Sequence, residues 1–236
     1  MIHHSLVNLL YPARCLLCHG RLTQTASVIC QACASRVSPC LPPVCQRCGI
    51  SLHGAFDARV VCARCQRHPP TFDQARAPFL YEGVIREAVH AFKYHQHHRI
   101  GLWLAGAMAQ IACREFAAVV EVVVPVPLFW AKARWRGINP SDSLARVVAQ
   151  TLHRPREPHL LRRRRWTTSQ TRLSRQARAR NVHEAFWADP SRLAARQVLL
   201  IDDVLTTGAT AHACAHALRK AGAQRITVLT AACAAL

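Results

Sequence analysis

Four Cys-x-x-Cys pairs lie within the first 65 residues of this 236-residue chain. Each pair is a knuckle, a tight turn that brings two thiolates to one face, and two knuckles complete a tetrahedral zinc site. A disulfide framework is the alternative, but it requires a secreted chain, and residues 1–11 lack the features of a signal peptide. We therefore predict about two structural zinc ions. The ligands are Cys15, Cys18, Cys30, Cys33, Cys45, Cys48, Cys62 and Cys65.

The spacing of the knuckles bears on how they pair. Eleven residues separate the first two pairs and thirteen separate the last two, as an internal duplication would leave them. The simplest pairing joins the first knuckle to the second and the third to the fourth, although the spacing also allows a crossed pairing. The other cysteines (Cys40, Cys113, Cys214 and Cys233) are expected to be small buried hydrophobes.

A second group of chemically capable residues follows the apolar run 198–201. A buried strand there would deliver Asp202 and Asp203 to its carboxyl end, and the Thr/Gly turn over 206–210 would then open a helix. Free N–H groups at a helix N-terminus bind phosphate, and Gly208 lets the backbone approach closely. Carboxylates beside a phosphate suit sugar hydroxyls or Mg²⁺. These residue types together predict a site for a phosphorylated ribose.

Two other interpretations compete for this segment. An apolar strand that ends in two acids also occurs in P-loop ATPases, but the chain has no G-x-x-x-x-G-K-[ST] motif to cradle the phosphates. A helix capped by Thr206 or Thr207 would explain the threonines, but it would not explain the adjacent carboxylates.

The charge balance indicates an anionic partner. The chain has 31 Lys and Arg against 12 Asp and Glu, a formal net charge of +19. Eight thiolates with two Zn²⁺ add four negative charges, which leaves about +15. An Arg-rich run could form a solvated loop, a lid over a diphosphate, or a track for single-stranded nucleic acid with an aromatic platform. The residues expected to form the track are Arg162, Arg163, Arg164, Arg165 and Trp166.

The elements that must position these residues follow from hydrophobic periodicity. Helical patterns cover 84–94 and 102–116, and all-apolar runs typical of buried parallel strands occur at 122–124 and 198–201. Asn139 and Pro140 predict a helix start. Alternating strands and helices indicate a parallel α/β sheet that binds ligands at the carboxyl ends of its strands. Further elements are expected at 159–161 (strand), 211–221 (helix) and 226–230 (strand).

Composition places limits on the location of the protein. No apolar run reaches the roughly 18–20 residues that a membrane span requires. Without a signal peptide or a span, we expect a cytoplasmic protein.

With these motifs in place, the chain resembles the ComF family, which comprises competence-associated, GntX-like proteins with a double zinc ribbon and a type I phosphoribosyltransferase domain. The segment 198–210 is similar to the binding motif for phosphoribosyl diphosphate (PRPP) in such enzymes. The resemblance covers essentially the whole chain and implies an α/β fold, with a parallel sheet flanked by helices after a small N-terminal double zinc ribbon. The expected domains are 1–68 (ribbon) and 72–236, the latter divided into a helical hood, 72–120, and an α/β core, 121–236.

The resemblance also implies roles for individual residues. Asp202 and Asp203 would hold the ribose hydroxyls, directly or through Mg²⁺. The loop that ends in Arg136 and Gly137 corresponds to the pyrophosphate loop, and Gln170, Arg178 and Asn181 belong to a mobile loop that closes over the diphosphate. Pro140 stands where the family usually has Gln. The remaining PRPP contacts are expected from Leu205, Thr206, Thr207, Gly208, Ala209, Thr210, Asn139 and Lys93.

The function implied is an Mg²⁺-dependent, PRPP-using phosphoribosyltransferase that is associated with DNA uptake or with the use of imported DNA. The alternative is a zinc-ribbon adaptor of the DNA-uptake machinery that binds single-stranded nucleic acid and whose PRPP site senses a nucleotide or is vestigial. Expected partners are PRPP or a related ligand, single-stranded DNA and other DNA-uptake proteins. The acceptor substrate stays open.

Overall fold

The computed structural model describes residues 13–22, 27–52, 60–95, 97–128, 138–164, 185–193 and 197–234. The Cys-rich region contributes two short helices to this part of the chain, α1 (Gln31–Ala34) and α2 (Ala63–Arg67). Every later element belongs to an α/β arrangement. These elements are β1 (Gln74–Arg76), β2 (Phe79–Leu80), α3 (Gly83–His95), α4 (His98–Glu115), β3 (Val122–Pro125), α5 (Pro140–Leu152), β4 (Leu161–Arg163), β5 (Phe186–Ala188), a 3-10 turn (Pro190–Arg192), β6 (Gln197–Leu205), α6 (Ala209–Lys220) and β7 (Arg225–Cys233).

The main sheet is parallel throughout. Its order is β1-β7-β6-β3, and β2 continues along the β1 edge of β7. The strands β6 and β7 form its centre, with Val198 opposite Ile226 and Leu205 opposite Cys233. Because β3, β6 and β7 are covered on both faces, they are apolar runs rather than alternating sequences. The α/β prediction is confirmed.

Helices cover both faces of this sheet. On one face, residues such as Leu199 and Ile201 pack against α3, α4 and α5. On the other face, Val198 and Leu200 pack against α6 and against the antiparallel β4–β5 hairpin. Successive side chains of a strand point to opposite faces, so a single strand supplies both cores. No helix in the described ranges has the length and hydropathy required to cross a membrane.

The start of α5 forms as the sequence predicts. Asn139 is its N-cap, with its side-chain oxygen accepting a hydrogen bond from the Ser141 N–H at 3.2 Å, and Pro140 occupies the first turn. The Asn139 amide nitrogen also donates to the Val126 carbonyl at 3.0 Å. This second bond ties the helix start to the chain just after β3, so α5 begins at the carboxyl edge of the sheet.

Some details differ from the sequence expectations. The region 72–120, expected to be a helical hood, also supplies β1 and β2 to the main sheet, because two- and three-residue strands are too short to show a periodicity. Cys113 is exposed and Cys40 is half-buried, so the expectation of burial holds only for Cys214 and Cys233. The predicted strand 226–230 continues to Cys233.

Candidate functional site

The eight knuckle cysteines form two separate clusters. One contains Cys15, Cys18, Cys30 and Cys33, and within each cluster all sulfur atoms lie within 4.8 Å of one another. The Sγ atoms of Cys18 and Cys30 are 3.5 Å apart, and those of Cys15 and Cys33 are 3.8 Å apart. A tetrahedral zinc ion with Zn–S bonds of about 2.3 Å requires sulfur atoms about 3.8 Å apart. Both clusters therefore fit structural zinc. The second consists of Cys45, Cys48, Cys62 and Cys65.

The two clusters are built alike, and their corresponding cysteines are 30 or 32 residues apart in the chain. In the first knuckle, the Cys15 N–H donates to the Gly20 carbonyl and His19 has a positive φ of 58°. In the third knuckle, the Cys45 N–H donates to the Ile50 carbonyl and Gly49 has a φ of 72°. The geometry supports an internal duplication, and it confirms the simpler pairing over the crossed one.

The two predicted carboxylates lie near the end of the central strand β6. The Asp202 Oδ1 accepts hydrogen bonds from the Ser141 hydroxyl and from the Asp203 backbone N–H, both at 2.9 Å. Burial, followed by the charge of Asp203, raises the pKa of Asp202 to about 7. The Lys93 ammonium lies 2.7 Å from the Asp203 Oδ1. Two carboxylates and one ammonium therefore share the same edge of the sheet.

A short loop joins this strand to α6. Gly208 is the N-cap of α6 with a φ of 79°, a left-handed conformation that favours glycine, and the Thr207 hydroxyl accepts a long hydrogen bond from the Ala209 N–H at 3.4 Å. The first turn of α6 contains no acidic residue, and its N-cap, Gly208, has no side chain to cap it. The N–H groups of a first helical turn have no partner within the helix, and among the described residues the Ala209 N–H has only the long bond to Thr207, so this end of α6 can bind an anion. The small depression beside them is lined by Asp202, Val204, Leu205, Thr206, Thr207, Gly208, Ala209, Thr210, Ala211 and Thr230.

The Cys-rich region touches this loop. Arg64, on α2 between the ligands Cys62 and Cys65, donates a hydrogen bond from its guanidinium to the Thr207 carbonyl. The sequence signals did not single out Arg64 for this site, since it lies 143 residues from Thr207. Ser141 was also missed, although it stands within the predicted helix cap.

The other residues expected in the site are placed as follows. Lys93 contacts Asp203, and Asn139 caps α5 beneath the carboxyl edge of the sheet. The residues expected at the pyrophosphate loop, at the mobile loop and at the end of the Arg-rich run lie outside the described residues. These are Arg136, Gly137, Gln170, Arg178, Asn181, Arg165 and Trp166.

The described part of the Arg-rich run belongs to the β4–β5 hairpin. The Arg164 guanidinium lies 4.5 Å from the centroid of the Trp187 ring, and the Arg163 guanidinium lies 5.4 Å from that of Phe186. Burial lowers the pKa of Arg163. Arg162 and Arg164 are exposed, whereas Arg163 is partly covered by the hairpin.

Comparison with known proteins gives three kinds of match. Residues 6–66 match the double zinc ribbon domain family. DNA utilization protein YhgH of Salmonella typhimurium is 30% identical over 222 residues, which span 92% of this chain and 95% of that protein. Competence protein F of Haemophilus influenzae is 28% identical, over 91% of this chain and 94% of that protein.

A solved structure also matches part of the chain. The glutamine PRPP amidotransferase of Bacillus subtilis is 22% identical, with a TM-score of 0.39, over 54% of this chain. The match spans about a quarter of that enzyme, 26% of its length.

Proposed function

The chain belongs to the family of competence protein F and DNA utilization protein YhgH, and from this premise we propose that it binds PRPP with Mg²⁺ and transfers the phosphoribosyl group in the use of imported DNA. The observation that carries the proposal is the juxtaposition at the end of β6. Two carboxylates, Asp202 and Asp203, lie within a few residues of a glycine-capped helix N-terminus. A phosphorylated sugar presents the complementary groups, a phosphate and vicinal hydroxyls.

In this proposal the loop and the carboxylates hold different parts of the ligand. The N–H groups that begin α6 bind the 5-phosphate, and the hydroxyls of Thr206, Thr207 and Thr210 add donors around it. The carboxylates accept hydrogen bonds from the ribose hydroxyls. The Ser141 hydroxyl and the Asp203 N–H hold the Asp202 carboxylate in place, because both donate to its Oδ1.

The donor set also suits a divalent cation. Mg²⁺ takes one or two carboxylates together with substrate phosphates, and a cationic group, the Lys93 ammonium, already lies 2.7 Å from Asp203. When bound, Mg²⁺ would neutralise charge on the diphosphate as it leaves C1. Lys93 would then exchange its contact with Asp203 for one with the ligand.

Transfer would depend on stabilising the leaving diphosphate. The C1–diphosphate bond breaks through an oxocarbenium-like state, and preorganised donors aimed at the developing charge supply most of the stabilisation. By the family resemblance, Arg136 and Gly137 bind the diphosphate. Gln170, Arg178 and Asn181 close over it, and the nucleophile is held in line with C1.

The binding step is tested by titration calorimetry. Replacing both carboxylates (Asp202→Asn with Asp203→Asn) should abolish Mg²⁺-dependent PRPP binding and keep the fold, because asparagine has nearly the size of aspartate and keeps an oxygen for the hydrogen bonds from Ser141 and from the Asp203 N–H. Thr207→Val should weaken binding less, since backbone N–H groups carry much of the phosphate contact. Unchanged PRPP affinity in the double variant would show that PRPP does not bind at this loop.

The transfer step needs its own assay. Release of diphosphate from PRPP should require an acceptor, and separate replacement of Gln170, Arg178 and Asn181 should abolish release while PRPP binding is retained. A chain that binds PRPP and releases no diphosphate with any base or nucleotide offered would be a sensor of the ligand and not a transferase.

A second function, binding of single-stranded nucleic acid, has support of its own. A pocket of about 600 Å³ between the β4–β5 hairpin and the end of α6 combines an aromatic ring, Trp187, with three basic side chains, Arg164, His216 and Lys220, and the described residues that line it include no acid. Bases stack on aromatic rings, and arginine and lysine bind the phosphates between them. The name of the YhgH relatives refers to DNA utilization.

Salt dependence tests this second function. Affinity for a single strand should fall with salt at a log–log slope of about −0.7 per phosphate contacted. Replacing Arg162, Arg163, Arg164 and Arg165 together by Gln should flatten that slope and leave PRPP binding unchanged, whereas Arg114→Gln, an exposed arginine on α4, serves as the matched control. An unchanged slope in the quadruple variant would refute nucleic-acid binding by these arginines and would mean that they form a solvated loop.

A further inference from the structure

The second zinc unit is fixed against the edge of the main sheet by backbone contacts. The Ala75 N–H of β1 donates to the Arg47 carbonyl at 2.7 Å, and the Arg76 guanidinium donates to the Gln46 carbonyl at 3.4 Å. Gly49 packs so closely that a Cβ atom added there would lie 2.2 Å from the Ala75 carbonyl oxygen. Contacts of this kind define a single position for the unit on the sheet.

The chain that leaves this unit is fixed to α6, the helix that begins at the phosphate loop. The Thr71 backbone N–H and its hydroxyl both lie within hydrogen-bond distance of the His212 Nδ1, at 3.2 and 3.3 Å. The Thr71 hydroxyl also donates to the His212 carbonyl at 2.9 Å. The segment 66–70, which joins the second zinc unit to β1, therefore has a fixed end at the first turn of α6.

Between these two attachments, α2 brings Arg64 to the loop. Its guanidinium donates to the Thr207 carbonyl, and Cys62 and Cys65 on either side belong to the second cluster. The side chain is otherwise exposed. A guanidinium has five N–H donors, so a single carbonyl leaves donors for another acceptor.

A phosphate bound at the loop would lack a positively charged partner without such a cation. None of the described residues that line the depression carries a positive charge, and the Lys93 ammonium is in contact with Asp203. A phosphate monoester carries nearly two negative charges at neutral pH. Backbone N–H groups supply only partial charges, whereas an arginine supplies a full charge and a planar fork that matches phosphate.

We infer that Arg64 binds the phosphate group of the ligand at the Thr206–Thr210 loop, and that the second zinc unit is the element that holds it there. The identity of the ligand as PRPP rests on the proposed function, but the phosphate contact does not require it. The zinc ribbon thus belongs to the anion site, and the fusion of the two units in one chain has a physical reason.

Affinity measurements on charge variants test the inference. With ribose 5-phosphate, and with PRPP plus Mg²⁺, Arg64→Gln should weaken binding about 10- to 50-fold, the loss expected for a charge-assisted hydrogen bond. Glutamine removes the charge but is also shorter than arginine, so the lysine variant, which restores a charge, separates the two effects. Arg64→Lys should recover part of the affinity. Arg67→Gln, on the same helix with its own contact to the Ala63 carbonyl, is the matched control and should stay within about 2-fold.

The zinc content and the unfolding midpoint of each variant show whether the ribbon is intact. Arg64 is exposed, so Arg64→Gln should keep its full zinc content and the midpoint of the wild-type chain. If Arg64→Gln binds both phosphates within about 2-fold of the wild-type chain, the guanidinium only attaches α2 to the loop and the inference is wrong.

The two ligands separate the inference from the proposed function. Binding of ribose 5-phosphate that depends on Arg64, without binding of PRPP, would refute the proposed function and support the inference. Binding of PRPP that requires Asp202 and Asp203 but is unchanged in Arg64→Gln would support the proposed function and refute the inference. Failure of the wild-type chain to bind either ligand would refute both.

Discussion

Replacing Asp202 by Asn should stabilise the folded chain and abolish its proposed ligand binding at the same time. Burial and the charge of Asp203 raise the pKa of Asp202 from 3.8 to about 7. The ionised carboxylate is therefore held in the folded chain at a cost that the unfolded chain does not carry. Asparagine keeps an oxygen for the hydrogen bonds from Ser141 and from the Asp203 N–H, but it removes the charge.

The size of the effect follows from linkage. One pKa unit corresponds to about 1.4 kcal/mol, so the shift sets an upper bound of about 4 kcal/mol above pH 7. Because Asp202 keeps some exposed surface, solvent screens part of this penalty, and we expect a gain of about 1–3 kcal/mol at pH 8.

The raised pKa makes the stability of the wild-type chain depend on pH. A folded-state pKa above the unfolded value means that the folded chain binds the extra proton, so the wild-type chain loses stability as the pH rises from about 4 to about 7. The Asp202→Asn variant would carry no such dependence. The difference between the two proteins should be near zero at pH 4, should grow through this window, and should level off above pH 7.

Urea unfolding at pH 4.5, 6, 7 and 8, with zinc content held equal, measures this difference. Asp203→Asn tests the second cause of the shift, because it removes the charge that raises the pKa of Asp202 and should therefore shrink the pH-dependent part of the stability, while it also removes the ion pair with Lys93. A constant difference between Asp202→Asn and the wild-type chain across the pH range, or a loss of stability at pH 8, would refute the assignment of a buried, proton-binding carboxyl.

The remaining predictions concern the metal, the helix ends and one thiol. Elemental analysis should find about two zinc ions per chain, and mass spectrometry should find no disulfide within either cluster. Asn139→Ala should lower the free energy of unfolding by about 1–2 kcal/mol, because it removes the α5 cap and the bond to Val126. Gly208→Ala should cost about 1 kcal/mol in the same assay, because its φ is 79°, and should also weaken phosphate binding. A hydrogen bond from the Cys233 thiol lowers the pKa of Cys40 to about 6. Iodoacetamide at pH 7 should therefore label Cys40 faster than Cys113, and equal labelling rates would contradict the hydrogen bond between Cys40 and Cys233.

The dependence of the site on several elements explains why no short segment would reproduce it. Asp202 needs Ser141 from α5, and Asp203 contacts Lys93 from α3. The phosphate loop receives Arg64 from the zinc region. Residues from four separate stretches of chain thus converge on one edge of the sheet, where parallel strands end together.

The sequence by itself determined the features that depend on local spacing. Two thiolates three residues apart form a knuckle wherever the chain turns, so the zinc ligands could be read from the Cys-x-x-Cys pairs. Asn139 caps its helix through a bond to a residue two positions away, and the apolar runs of β3 and β6 reflect burial on both faces. Such interactions are encoded within a few residues.

Tertiary structure alone decided which distant residues meet. The knuckle pairing stayed open until the sulfur atoms were located, because the spacing allows a crossed arrangement as well. The short strands β1 and β2 form only because they pair with β7, which lies more than 140 residues away in sequence. Arg64 and Thr207 are adjacent because the second zinc unit packs on β1, and side-chain packing between distant segments leaves no periodic trace in either one.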